Sequence, residues 1–507
     1  MLGEATRARA AATPHLIWSA HEGTFRLLGG RALCQDRRPR GRLRGAPQAA
    51  PRPRPRRARG GPDVCAGPRP GARLHRGHPG DRVLPRRPHG ARRHLRRDAP
   101  RQRGARVLRS LPLALRPAQH LRLRRRRAPA LRRAQPGRAA ALSAPALRPD
   151  IIHVNDWQTC LIPLLLRTLF AWDQLFARTR TVLTIHNLSH QGTFDASHLA
   201  SAGLAQVADR LHQDHLREGR FSFLLTGILY ANAITTVSPT YAREIQTPEH
   251  GVGLDGFLRS RADVLRGILN GIDDAEWDPA TDPLIPHHFT ADELEGKERC
   301  KVDLLSAAGL PYRHDVPLVG VVSRLAWQKG FDLCEEVLPA MLARRRFQLA
   351  VLGTGERRYE DFFFRLAQAF PRQVAYLPAF SEKLAHTIEA ASDLFLMPSR
   401  YEPCGLNQMY SLRYGTPPIV HRTGGLADTV WNYDPTTGRG TGFAFDHFDA
   451  TGLTWALGRA LDLWGDGSGP ELDRWRKLQR NGMRLPLGWS HRIGEYLDLY
   501  RLVAPEA

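Results

Sequence analysis

The sequence predicts an α/β protein with two parallel sheets of the doubly wound kind, the first of them incomplete. Two series of apolar runs alternating with helical stretches predict the sheets, one between residues 151 and 237 and the other from about residue 315 onward. The third observation is an abrupt onset of order. Residues 1–147 show neither a period of 2 nor one of 3.6 over any useful length, so nothing there reads as the first half of the first sheet.

The first series opens at "RPDIIHVNDWQTCLIPLLL", where Ile151 to Val154 read as a strand running into a helix. "TVLTIHNLSHQG" and "ANAITTVSPTYAREI" supply the second and third strands. Between them "FSFLLTGILYA" is apolar on nearly all sides and reads as a buried helix. A polar residue stands where each strand stops: Asp156, His186 and Ser238. In open parallel sheets, ligands bind outside the carboxyl ends of the strands. Asp156 has a second reading as the N-cap of the helix that follows it.

The second series reads "VPLVGVVSRL", "FQLAVLGTGE", "QVAYLPAF", "DLFLMPSR", "PPIVHRTGG" and "TGFAFD", six strands and so a complete doubly wound domain. In "SEKLAHTIEAA", Leu384, Ile388 and Ala391 fall at i, i+4 and i+7 on one apolar face. "VVSRLAWQKG" puts Arg324 and Lys329 just past a strand. A guanidinium fork and an ammonium point charge there suit a diphosphate, and equally a solvated helix start. "HRTGGLADTV" offers Thr423, Gly424 and Gly425 at a helix N-terminus, either as backbone donors to an anion or as a plain turn. "PSRYEPCGLNQMY" places the carboxylate of Glu402 at the mouth of an apolar strand, where burying a charge is costly unless it lines a cleft.

Composition separates the chain into two parts. Of 507 residues and a net charge of +25, residues 1–150 hold 38 Arg, no Lys and 7 acidic residues. The remaining 357 residues hold 36 basic and 42 acidic residues, a net charge of −6. The basic character, with any attraction to nucleic acid that it brings, therefore belongs to the first segment alone. Pro, Gly and Arg dominate that segment, which cannot bury enough apolar surface to offset its ordering entropy. It reads as a basic nucleic-acid-binding tail, as a disordered arm, or as a GC-rich coding region translated out of frame. The third reading is favoured, because GC-rich codons specify Arg, Pro, Ala and Gly. Six cysteines are scattered without C-x-x-C spacing, which argues against a disulfide framework and a cysteine zinc site. No apolar stretch reaches membrane-helix length and the start has no apolar leader, so a cytoplasmic location is expected and no membrane partner.

Taken together, the motifs resemble bacterial glycogen synthase and plant starch synthase, retaining glucosyltransferases of the GT-B fold. The resemblance is carried by "DIIHVNDWQT", "TIHNLSHQGTF", "TTVSPTYAREIQTPEHGVGLDGFL", "GILNGIDDAEWDPATD", "VSRLAWQKGFDL", "PSRYEPCGLNQMYSLRYGTPPIVHRTGGLADTV" and "GTGFAF", in order over about residues 148–500. "GVGLDG" and "EPCGLNQ" are similar to the glycogen/starch branch rather than to sucrose synthases.

The resemblance implies two Rossmann-like domains facing across a cleft. Residues 148–265 would be the later half of the first, residues 266–485 the nucleotide-sugar domain, and residues 486–507 a helix crossing back. It implies transfer of glucose from ADP-glucose to the 4-hydroxyl at the non-reducing end of an α-1,4-glucan such as glycogen, with retention of configuration. It implies no essential metal and no cofactor, and it leaves the oligomeric state open. Residue by residue, Glu402 matches the glutamate that accepts hydrogen bonds from the donor glucose. The amides of Cys404, Gly405 and Leu406 open a helix facing sugar and phosphate. Arg324 and Lys329 match the pair that neutralises the leaving ADP. His186 matches a histidine beside the donor glucose, Asp156 an aspartate on the acceptor side, and Phe380 an aromatic near adenine. Asn407 stands where bacterial relatives often have Thr, and keeps a donor and an acceptor. The alternative is a basic nucleic-acid-binding protein with a non-catalytic GT-B-like body, marked by a salt-dependent DNA shift lost on deleting residues 1–147.

One departure is large. The family's lysine-glycine loop, K-x-G-G-L, lies near the start of its members, and residues 1–147 contain no Lys. The segment has the right length and the wrong residues, which a displaced frame produces and an unrelated fused tail does not. Without that loop the chain as written is expected to have little synthase activity. Reading the same DNA in the other two frames is expected to give strand-like apolar runs and a K-x-G-G-L. No such pattern in any frame would refute the displacement.

Overall fold

The computed structural model describes residues 149–504, together with a two-residue antiparallel ladder pairing Ala20–His21 with Thr24–Phe25. The readings made of residues 1–147, and the question of the lysine-glycine loop, otherwise lie outside the described residues.

The first sheet has four parallel strands: β1 (Ile151–Asn155), β2 (Arg180–Ile185), β5 (Ala233–Thr236) and β6 (Leu265–Gly267), in the order β1-β2-β5-β6. A separate antiparallel pair, β3 (Thr193–Asp195) and β4 (Arg220–Ser222), lies between them in sequence. The fourth strand was not expected from the sequence. It also carries the first sheet across the 265/266 boundary expected for its domain. The apolar stretch after β4 forms the helix Phe223–Tyr230, with Phe223 to Ile228 all buried. Ser222 starts it by accepting from the Leu225 N–H at 3.1 Å. Ser238, expected among the ligand-facing groups, is fully buried and caps the helix Pro239–Glu244 through the Tyr241 N–H at 2.9 Å.

The second sheet contains β7 (Leu318–Val322), β8 (Gln348–Leu352), β9 (Val374–Leu377), β10 (Leu394–Met397), β11 (Pro418–His421) and β12 (Phe443–Phe445). All pair in parallel in the order β9-β8-β7-β10-β11-β12. The chain thus winds outward from the middle in both directions, and β7 and β10 flank the point where the direction reverses. Their ladder is short, Leu394 with Val319 and Phe395 with Gly320, so their carboxyl ends separate and leave a crevice. Phe331–Arg344, Arg357–Ala369 and Ala450–Trp464 bury one apolar face each against this sheet. Glu382–Ala391 buries Ile388 and Ala391 on the other side, with Leu384 partly covered, the face read from its periodicity.

The chain passes between the sheets twice. The outgoing segment and the returning one meet where the Ile272 N–H donates to Leu487 O at 3.0 Å and the Trp489 N–H to Ile272 O at 3.2 Å. The last helix, Ile493–Val503, then lays Tyr496, Leu499 and Tyr500 on Ile151, Val182, Ala233 and Ile268 of the first sheet. Among the described residues no helix is long and apolar enough to cross a membrane. The four described cysteines are free and buried.

His153, inside β1, ties that last helix down. Its Nδ1 meets the Tyr500 hydroxyl at 2.7 Å and its Nε2 the Thr184 hydroxyl at 2.6 Å. Burial, and then the nearby His186, lower its pKa to about 4. The unfolded chain therefore takes up this proton near pH 6.5 and the folded chain does not until about pH 4. The stability is fully present above pH 6.5 and is lost as pH falls to 4, roughly 3 kcal/mol in all. His153→Gln, which cannot titrate, is expected to flatten this acid limb in denaturant midpoints measured from pH 7 to 4. An unchanged slope would show that His153 does not set it.

Candidate active site

The crevice between β7 and β10 is built by two loops locked together. After β7 the chain runs through Ser323 and Arg324 to Gly330, which caps Phe331–Arg344 in a left-handed conformation (φ +73°). A Cβ at Gly330 would lie 1.9 Å from Pro398 O, so only glycine lets this turn press against the loop after β10. That loop answers with three contacts. The Arg400 N–H donates to Gln328 O at 2.9 Å, and the Gln328 side chain to Tyr401 O at 3.2 Å. The Arg400 guanidinium lies 4.4 Å over the Trp327 ring and 4.1 Å from that of Phe448.

The consequence is a short ion pair. Lys329 Nζ donates to Glu402 Oε2 at 2.6 Å, and the Ser399 hydroxyl donates to the same oxygen at 2.9 Å. Glu402 is buried, and 20% of the Lys329 side chain remains accessible. The carboxylate at the strand mouth therefore avoids the cost of an unpaired buried charge. Asn407 donates through Nδ2 to Val322 O at 2.7 Å, tying its helix, Asn407–Arg413, to the end of β7. Val322, Arg324, Lys329, Ser399, Glu402 and Asn407 line a cavity of about 220 Å³, with Leu406 at its edge. Arg324 is exposed, and its side chain makes no hydrogen bond or ion pair among the described residues.

At the carboxyl ends of the first sheet's strands Asp156 and His186 are tied to each other and lie outside the lining of that cavity. Asp156 is not an N-cap. It holds a positive φ of 51°, a strained conformation for a non-glycine residue, and its Oδ1 accepts from the His186 N–H at 2.8 Å. His186 Nε2 meets Asn155 Oδ1 at 2.9 Å. The turn after His186 reaches the second sheet, where the Ser189 hydroxyl donates to Tyr401 OH at 3.3 Å, next to Glu402.

The remaining expected site residues divide. The helix opens at Asn407, not at Cys404. Cys404 turns its thiol into the core under the first sheet, where burial raises its pKa to about 12. Gly405 makes the left-handed turn at φ +71° against Gln408. Phe380 is fully exposed and lies outside the cavity lining. The Thr423–Gly425 turn does start a helix, Gly424–Thr429, but its donors are spent within the chain. Glu244 accepts from the Gly424 N–H at 3.0 Å and from the Thr423 hydroxyl at 3.1 Å, while the Gly425 N–H goes to Glu402 O at 3.2 Å.

Two sequence profiles match. Residues 128–260 match the starch synthase catalytic domain, and residues 308–481 match glycosyl transferases group 1. Glycogen synthase of Anaeromyxobacter dehalogenans is 51% identical over 369 residues, covering 72% of this chain and 76% of the relative. The chain belongs to the glycogen/starch synthase family. Glycogen synthase of Thermotoga maritima is 47% identical over 356 residues, covering 70% of this chain and 72% of the relative. The solved catalytic domain of starch synthase IV from Arabidopsis thaliana, bound to ADP and acarbose, superimposes with a TM-score of 0.65. It is 38% identical, over 71% of this chain and 74% of that one. The chain is thus a GT-B glucosyltransferase of the glycogen synthase kind, and the nucleic-acid-binding alternative is not favoured. The starch synthase match reaches back to residue 128, inside the Arg-rich segment expected to lack any family pattern.

In this synthase a reciprocal latch joins the two sheets. Glu244, at the end of Pro239–Glu244, caps Gly424–Thr429, and Asp428 of the latter caps the former. Asp428 accepts from the Thr240 N–H at 2.9 Å and from its hydroxyl at 2.6 Å. Each carboxylate meets the positive end of the other helix. Asp428→Asn together with Glu244→Gln is expected to increase domain opening, seen as a larger radius of gyration in small-angle scattering. No change would show that other contacts hold the cleft.

Proposed function

We propose that the chain transfers glucose from ADP-glucose to the 4-hydroxyl at the non-reducing end of an α-1,4-glucan, with retention, as a cytoplasmic enzyme of glycogen synthesis. The observation that carries this reading is the Lys329–Glu402 pair beside the unpartnered Arg324 at the β7/β10 crevice. An ammonium has three donors, and only one is spent on Glu402. The other two, with the Arg324 fork, are free for a diphosphate. Glu402 accepts from hydroxyls of the donor glucose, His186 lies beside that sugar, and Asp156 borders the acceptor. The bond from C1 to the phosphate oxygen breaks, the bond from C1 to the acceptor O4 forms on the same face, and the hydroxyl proton passes to the leaving phosphate. Clamping cations then do more for the rate than any side-chain base. The ADP held by the Arabidopsis relative supports an adenosine diphosphate donor here.

Elongation of maltoheptaose tests this, with linkage read by proton NMR and donors compared in parallel. The expected product carries only added α-1,4 residues, and ADP-glucose is preferred over UDP-glucose. Residues 1–147 supply no lysine-glycine loop, so the expected rate is low, and linkage and donor choice are the readout. β-linked product or a preference for UDP-glucose would contradict the proposal.

A further inference from the structure

We propose that Glu276, Glu382 and His386 form a binding site for a divalent transition-metal ion of the zinc type, away from the catalytic crevice. One ligand atom from each of the three lies within 4.8 Å of the other two. His386 is completely buried. Its Nδ1 is committed to Asp282 Oδ2 at 2.8 Å, and its Nε2, shielded from water, has no hydrogen-bond partner among the described residues. A buried ring nitrogen without a partner is costly. With Nδ1 on Asp282, Nε2 is the ring nitrogen left for a ligand.

The support behind the ring is of the kind that orients a metal-binding imidazole, with the second nitrogen on a carboxylate that is itself fixed. Asp282 is held by the Tyr414 hydroxyl at 2.5 Å and by the Leu284 N–H at 2.8 Å. The ring is also fixed in plane, stacked on Trp277 with centroids 3.7 Å apart, and Trp277 stacks in turn on Tyr410 at 3.6 Å.

The two carboxylates come from different directions. Glu382 opens the helix Glu382–Ala391, whose start is set by the Ser381 cap, so Glu382 and His386 stand at i and i+4 on one face. Glu276 precedes Trp277 on the segment that leaves the first sheet. Both carboxylates are exposed, and neither makes a hydrogen bond or ion pair among the described residues. Two like charges this close repel unless a cation lies between them. One imidazole and two carboxylates, open to solvent for water ligands, suit zinc better than magnesium or calcium, which prefer all-oxygen sets. The ion would pin the inter-sheet segment to the second domain. The resemblance implies no metal, and this site departs from that expectation while lying outside the lining of the catalytic crevice.

The test uses the full chain, stripped with a chelator, and the variant Glu276→Gln/Glu382→Gln, whose exposed positions leave the core intact. The probe is Zn²⁺ alone, with binding counted by equilibrium dialysis and stability read as Tm. The chain holds 21 histidines, so the difference between the two proteins is the readout. The variant is expected to bind one Zn²⁺ fewer. Without metal it is expected to melt at or above the parent, since the repulsion is gone. With Zn²⁺ the parent's Tm rises and the variant's does not, which reverses the order. Equal zinc counts, or equal Tm shifts in the two proteins, would overturn the proposal.

Discussion

Replacing Arg324 with alanine is expected to lower kcat/KM by about 10²–10³, a loss of roughly 2–4 kcal/mol of transition-state stabilisation. Lys329→Ala is expected to do the same. The two differ in what they do to the fold. Arg324 is exposed and unpartnered among the described residues, so its removal leaves the unfolding free energy within about 0.5 kcal/mol of the parent. Lys329 is the partner of a buried carboxylate, and its removal leaves Glu402 with Ser399 alone. Breaking such a pair costs about 3–5 kcal/mol when fully buried, and less here because a fifth of the Lys329 side chain is wet. Adding Glu402→Gln to Lys329→Ala is expected to recover stability without recovering rate. The comparison is made in a chain with an intact first domain, where rates are measurable. A loss below tenfold in both single variants would reduce them to surface charges.

Gly330→Ala is expected to abolish transfer with a change of one methyl group. The left-handed backbone alone costs about 1–2 kcal/mol for a residue with a Cβ. The new carbon would sit 1.9 Å from Pro398 O, so the two loops must part. Parting them separates Lys329 from Glu402, because both side chains hang from the loops that this contact joins. The second sheet's core, around Phe331, Phe347 and Phe363, is untouched, so near-ultraviolet circular dichroism is expected to stay close to that of the parent. Normal activity in Gly330→Ala would show that the lysine loop is free to move and that the ion pair does not depend on this turn.

Long apolar runs between polar punctuation made the strands readable, and all six of the second sheet lie where the runs are. β6 escaped because Leu265–Gly267 is three residues long with a central arginine, too short to show a period. The crevice was legible as charge, since Arg324, Lys329 and Glu402 stand beside strand ends. The fate of the glycine turn was not. Glu244 and Asp428 look like solvated helix acids, and only the folded chain brings them 180 or more positions away to each other's helix starts. Asp156 has a cap as its second reading because it stands before a helix, but the parallel pairing of β1 and β2 puts its carboxylate against the His186 N–H instead.

The absence of Lys from residues 1–147 is not peculiar to that segment. Residues 151–507 hold five Lys against 31 Arg, so scarcity of lysine runs through the whole chain and does not single out its first segment. Missing periodicity, not missing lysine, is what sets that segment apart. The same scarcity makes the retained lysines informative. Lys297 is buried with its Nζ on the Glu389 and Ala390 carbonyls and the Thr416 hydroxyl. Lys301 is buried against Asp393, and Lys329 holds Glu402. Three tetrahedral donors on a thin stem fit where a planar guanidinium does not.

Calorimetric titration of the purified chain with ADP separates a diphosphate clamp from plain surface charge, because the crevice lies wholly in the second sheet's loops. One ADP per chain is expected, with affinity falling at least tenfold in Arg324→Ala and again in Lys329→Ala. A folded chain that binds no ADP, or one whose affinity neither substitution changes, would contradict the clamp.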